Sequence, residues 1–111
     1  MIDIDKSQLT HQNYVIGFSD GTVKVGTTGR GGERIKEVIK KKVRGSNLGV
    51  MALSLSDIRT RKEAYRIERD TCYLLRFCVV NGTREWFTGK YEYIKQTAGM
   101  FSACGLTRKS S

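Results

Sequence analysis

Four side chains of this chain, Tyr14, Lys24, Arg34 and Glu68, are of the types that handle a phosphate. The first three fall at intervals of ten, inside the stretch NYVIGFSDGTVKVGTTGRGGER. A tyrosine beside a lysine can act as a general base, because the cation favours the phenolate. An arginine can hold a phosphate bidentately. Taken singly, Tyr14 is a strand aromatic packed on its neighbours, and Lys24 and Arg34 are solvated charges. Glu68 lies on the drier side of a long helix, one turn after Ala64 and one turn before Cys72. A carboxylate there is costly unless paired or bound to a metal. Two partners suit it: a nearby arginine or lysine, or a Mg²⁺ or Mn²⁺ ion. Hard divalent ions in phosphate chemistry use one or two carboxylates, with water and phosphate completing the shell.

The rest of the charge points the same way. The chain has 111 residues, a net charge of +9 and a pI near 9.8. A small basic domain suits nucleic acid, an anionic membrane surface or an acidic protein. Arg30, Lys36, Lys40, Lys41, Lys42 and Arg44 lie in and before a first helix, and Arg66 and Arg69 on the wet face of a second. The Lys40-Lys41-Lys42-x-Arg44 cluster contains no acid, which favours contact with a phosphate backbone over a solubility role. No segment reaches about 18 consecutive apolar residues, so no transmembrane helix is expected. The start, MIDIDKSQLT, has no apolar signal core, and a cytoplasmic location is expected. Cys72, Cys78 and Cys104 are odd in number, lack C-x-x-C spacing and read as structural; with His11 the sole histidine, zinc is not expected.

These groups need elements to hold them, and a single domain of 1–111 with a core over about 13–104 is expected. Tyr14-Val15-Ile16 reads as a strand after a polar lead-in. Ser19-Asp20-Gly21 is a hairpin turn. Thr22 to Thr27 is the return strand, with Val23 and Val25 on one face and Thr22, Lys24 and Gly26 on the other. After a glycine-rich link, Ile35, Val38, Ile39 and Val43 mark a helix to about Arg44. Val50 to Leu55 reads as a largely buried third strand. A long helix runs from about Ile58 to Phe77, capped by Asp57 or by a Thr60-x-x-Glu63 box. Its dry stripe is Ala64, Tyr65, Thr71, Cys72 and Leu75. A last helix spans about Lys90 to Cys104, on the stripe Tyr91, Ile94, Ala98 and Phe101. Trp86 reads as a core anchor rather than a base-stacking platform. The order β-β-α-β-α-α gives an α+β fold, a small, mainly antiparallel three-stranded sheet flanked by helices.

In this ordered set the chain resembles the GIY-YIG nuclease superfamily. Tyr14-Val15-Ile16 falls where the first signature ends in its tyrosine. Lys24-Val25-Gly26 is similar to the second, with lysine for tyrosine. Arg34 and Glu68 match the family arginine and glutamate, and Glu85-Trp86-Phe87 resembles the phage and viral branch. The resemblance covers about residues 13–95. It implies a three-stranded antiparallel sheet with helices, and hydrolysis of a double-stranded DNA phosphodiester with one Mg²⁺ or Mn²⁺. Tyr14 would activate water, Lys24 would tune Tyr14, Arg34 would stabilise phosphoryl charge and Glu68 would hold the metal. Asn81 is the candidate for an asparagine that many members carry after the glutamate.

The chain also departs from the pattern. Gln12-Asn13 replace the glycine and isoleucine before the first tyrosine, and no attached DNA-binding domain is seen. A second class of function follows: a catalytically silent domain of this fold that binds DNA as a repressor or site competitor. A third is a protein-interaction module with an incidental basic surface. A homodimer is compatible with any of them.

Overall fold

Asp20-Gly21 closes a hairpin around which the other elements pack. In the computed structural model, which describes residues 6–99, Leu9–Phe18 (β1) and Thr22–Thr28 (β2) pair antiparallel from Gln12↔Thr28 to Gly17↔Val23. Gly21 takes φ +85°, the left-handed conformation the turn requires. The Asp20 carboxylate accepts from the Thr22 N–H at 3.0 Å and its hydroxyl at 2.6 Å, which with the Lys42 ammonium holds Asp20 below the usual carboxylate range. The first strand is longer than its apolar run. Residues 9–12, expected as lead-in, belong to it, because Leu9 and His11 pair with the short strand Arg59–Thr60 (β4).

Val50–Leu55 (β3) pairs with β1 on its other side, and Trp86–Thr88 (β5) pairs with β2. The sheet order is β3-β1-β2-β5, with β4 also on β1, so it has five strands rather than three. The third strand is an edge, not a buried strand: Met51, Leu53 and Leu55 are 73, 46 and 49% exposed. A strand paired on one side and beyond the reach of the covering helix keeps its side chains wet despite their apolar character.

Helices cover both faces. Gly32–Val43 (α1) turns Ile35 and Val38 onto Tyr14, Ile16 and Phe18. Lys40, Lys41 and Lys42 fill its last turn, where cations suit the helix dipole. Arg61–Leu74 (α2) is shorter than the expected Ile58 to Phe77. The Thr60 hydroxyl accepts from the Glu63 N–H at 3.2 Å, so the Thr60 box, not Asp57, starts it. A 3₁₀ turn, Arg76–Cys78, follows. The buried stripe is Ala64, Ile67 and Thr71, with Leu75 just beyond. Tyr65, expected on that stripe, is 44% exposed and sits against the His11 ring instead. Residues 91–99 form a third helix (α3) that buries Ile94, while Phe101 and Cys104 lie outside the described residues. Val15, Val23, Val25, Leu75, Phe87 and Ile94 make the core on this side. The α+β class read from the sequence holds. Among the described residues no helix is long and apolar enough to cross a membrane.

Candidate active site

The hairpin register sets the site. Tyr14 lies opposite Gly26, and Ile16 opposite Lys24, so Tyr14 and Lys24 share the α1 face of the sheet. A Cβ at Gly26 would lie 2.3 Å from the Tyr14 ring and hydroxyl. The missing side chain therefore lets Tyr14 lie across β2, almost wholly buried at 2% exposure. On β2, strand β5 pairs with Thr22, Val23 and Lys24, and beyond it the Val25 N–H bonds the Glu85 carbonyl at 3.0 Å. Glu85 thus stands beside β2 where the strand pairing stops.

Glu68 reaches the same place from α2. Asn13, 7% exposed, fixes that helix: its side-chain amide donates to the Ala64 carbonyl at 2.8 Å and to the Thr27 hydroxyl at 3.0 Å, and its oxygen accepts from Arg59 at 3.2 Å. Ala64 is one turn before Glu68, so this one amide ties β1 and β2 to the segment carrying the carboxylate. Glu68 is half-buried. Burial first, and the Glu85 carboxylate second, raise its pKa; a hydrogen bond from Thr27 and the Lys24 charge oppose them.

Arg34, in the first turn of α1, brings its charge to bear on the Tyr14 hydroxyl and pairs with Glu37 at 3.4 Å. Burial pushes the Tyr14 pKa up to about 12; the Arg34 charge and hydrogen bond pull it down, and Glu85 and Glu68 push it up. Tyr14, Lys24, Arg34 and Glu68 are therefore brought together, with Glu85 as a fifth member. The Lys24 ammonium, buried at 6% exposure, bonds the Glu85 carboxylate, and the Arg34 charge lowers the Tyr14 pKa. At neutral pH Tyr14 is a neutral phenol that retains its own proton to donate.

Could a divalent ion fit? Among the described residues no group of three or more His, Cys, Asp or Glu side chains could hold a metal. Glu68 and Glu85 do repel one another in a partly dry place, and a hard cation would relieve both the repulsion and the burial cost. Two carboxylates completed by water and phosphate oxygen meet what Mg²⁺ requires. Cys72, also near these acids, has its thiol pushed up to about 12, chiefly by burial, so it is no nucleophile.

A cavity of about 630 Å³ adjoins the cluster, lined among others by Lys24, Arg34, Lys41, Lys42, Thr83 and Trp86. Trp86 is half-buried: it packs on Phe18 with ring centroids 5.5 Å apart, and Lys42 sits over its ring at 4.9 Å. It is a core anchor, as expected, that also presents itself to a cavity. Lys36, Lys40, Lys41 and Arg44 are exposed around α1, and Arg69 on α2. Arg30 is exposed but pairs bidentately with Glu37 at 3.0 and 3.2 Å. Arg66, on the wet face of α2, pairs with Glu63 at 2.6 Å and Asp70 at 3.3 Å. Asn81 is exposed in the loop whose Val80 and Thr83 line the cavity, and it takes no part in the bonds or charge couplings described for the other four.

Sequence reasoning missed Glu85, Thr27, Gly26 and Asn13 as working parts. Glu85 directly precedes the lone tryptophan, and Gly26 follows Lys24 by two on the same strand face; those are the signals that could have found them. Nothing local marks the Lys24–Glu85 pair, whose members are 61 residues apart.

Residues 7–102 match the family model of the T5orf172 domain. No curated protein and no solved structure matches the chain.

Proposed function

The chain belongs to the T5orf172 domain family, of nuclease-related class, and from that premise we propose that it is a small metal-dependent DNA endonuclease acting as GIY-YIG nucleases do. The observation that carries the reading is the meeting of Tyr14, Arg34, Glu68 and Lys24 at the edge of β2. Double-stranded DNA is the partner, met first by the exposed lysines of α1.

Arg34 binds the scissile phosphate and stabilises the charge that grows on its oxygens in the transition state. The same guanidinium acts on the Tyr14 hydroxyl, so phosphate and tyrosine are set side by side. When DNA and the cation bind, Tyr14 gives up its phenol proton to solvent and the Arg34 charge stabilises the phenolate; the phenolate then orients the attacking water and takes one of its protons as the new phosphorus–oxygen bond forms and the bond to the leaving oxygen breaks. Burial around Tyr14 excludes competing water. Lys24 balances Glu85 and, through it, limits the repulsion on Glu68. A single Mg²⁺ or Mn²⁺ held by Glu68, with Glu85 beside it, would supply Lewis acidity at the leaving oxygen.

The test is supercoiled plasmid incubated with Mg²⁺ or Mn²⁺ and either the natural protein or Glu68→Ala. The natural protein is expected to nick or linearise it and Glu68→Ala to fall to background. Equal background from both proteins would sink the proposal.

One observation favours a second reading. A tyrosine 2% exposed, with its pKa near 12, is a poor base unless charge moves on substrate binding. On that reading the domain binds DNA without cutting it, as a repressor or site competitor. It then binds a preferred site without metal, and Glu68→Ala binds equally well.

A further inference from the structure

The cavity beside the cluster is larger than a phosphate requires. At about 630 Å³ it lies within the range of small-molecule sites. Its walls combine one aromatic face with several cations. Trp86 supplies the aromatic face, over which Lys42 lies at 4.9 Å and Lys24 at 5.6 Å, so a stacking base takes the place of an ammonium there. Lys41 and Arg34 stand at its rim, and the acid in the wall, Glu37, is engaged by Arg30 and Arg34. Arg34 and Lys24 belong both to the cavity wall and to the catalytic cluster. A strand whose phosphate rests on Arg34 therefore carries its neighbouring nucleotide to the cavity mouth. A base inside a duplex cannot reach the indole; an unstacked one can.

We infer that this cavity takes one unpaired nucleotide of a DNA strand, its base against Trp86 and its phosphate between Lys41 and Arg34. The substrate class is then DNA with a locally unstacked base, such as a bulge, a flap or a single strand, and regular duplex is held through phosphates alone. Stacking on an indole tolerates any base, so the site selects structure rather than sequence. The inference rests on the nuclease reading for the role of Arg34, but its test needs no cleavage.

Trp86 is the chain's only tryptophan, so its fluorescence reports on this cavity alone. The probes, in metal-free buffer with EDTA, are a short single-stranded oligonucleotide, the same sequence as perfect duplex, that duplex with one bulged base, and a deoxynucleoside monophosphate. Single strand and bulge are expected to quench Trp86 saturably, at concentrations about tenfold or more below those needed with perfect duplex. By anisotropy of labelled DNA, Trp86→Ala should lose that preference and keep duplex binding, while Trp86→Phe should keep both. Equal quenching by perfect duplex overturns the inference, as does an undiminished preference in Trp86→Ala. So does a monophosphate that binds as tightly as the strand, which would make this a small-molecule site. A protein that cuts plasmid but shows no preference fails this inference alone; one with the preference that never cuts fails the catalytic reading alone.

Discussion

The two faces of the sheet are built from the same strands and do different work. Toward α2 and α3, Val15, Val23, Val25 and Phe87 interlock with Leu75 and Ile94, and among the described residues no charged side chain belongs to that core. Toward α1, Ile16 and Phe18 share their row with Tyr14, whose pKa is shifted, and lie beside a buried lysine and a half-buried tryptophan. Burying a charge costs stability unless it is paired. The α1 face accepts that cost with Lys24 and Glu85, and the opposite face supplies the apolar burial that offsets it. The apolar burial is thus concentrated on one face and most of the charged chemistry on the other, with Glu68 joining it from α2 past Asn13 and Thr27.

The largest effects should separate along that division. Phe87→Ala empties a site with no solvent exposure and should cost about 3–5 kcal/mol of stability, read by thermal or denaturant unfolding. Arg34→Ala touches an exposed ion pair and should leave the melting temperature almost unchanged, yet lower plasmid cleavage about 10²–10³-fold. A large stability loss in Arg34→Ala, with cleavage intact, would erase the contrast between the faces. Gly26→Ala tests where the faces meet. Its Cβ would press on the Tyr14 ring, so a loss of about 1–3 kcal/mol is expected together with reduced cleavage. An unchanged protein would mean that Tyr14 has room to move aside.

The smallest effect is a pH dependence. The folded Glu68 has its pKa raised above the usual 4.5, so the unfolded chain gives up this proton first. The contribution of Glu68 to stability is best below 4.5 and is lost as pH rises through the raised value. Glu68→Gln should therefore melt with the natural protein near pH 4 and slightly above it at pH 7. Mg²⁺ at pH 7 should raise the natural protein's melting temperature and leave Glu68→Gln unmoved. A Glu68→Gln protein less stable at pH 7 would show that the carboxylate is a structural ion-pair member instead.

Legibility in the sequence follows range. The hairpin is local: Asp20-Gly21 sets the turn, and the register it imposes, with the alternation of each strand, turns Tyr14 and Lys24 toward one side of the sheet. The Thr60 box is local too and equally readable. The outer half of β1 is not, because Leu9 and His11 become strand only by pairing with two residues some fifty positions on. The edge position of β3 is hidden for a related reason: its apolar run is that of a buried strand, and only the sheet order leaves it wet. In the site, Tyr14, Arg34 and Glu68 are visible as residue types in a familiar order. Their relations are not. Lys24 has the spacing of a partner for Tyr14, but burial next to Glu85 gives it a nearer carboxylate, and a buried ammonium bonds the anion within reach.

The cleavage of supercoiled plasmid by the natural protein and by Tyr14→Phe, in Mg²⁺, is the most direct measurement. Removing one hydroxyl leaves the packing of the ring against β2 in place, so folding and DNA binding should persist. The expected result is nicking by the natural protein and none above background by Tyr14→Phe. Equal cleavage by the two proteins would contradict the central role given to Tyr14, and no cleavage by either would leave a domain that only binds DNA.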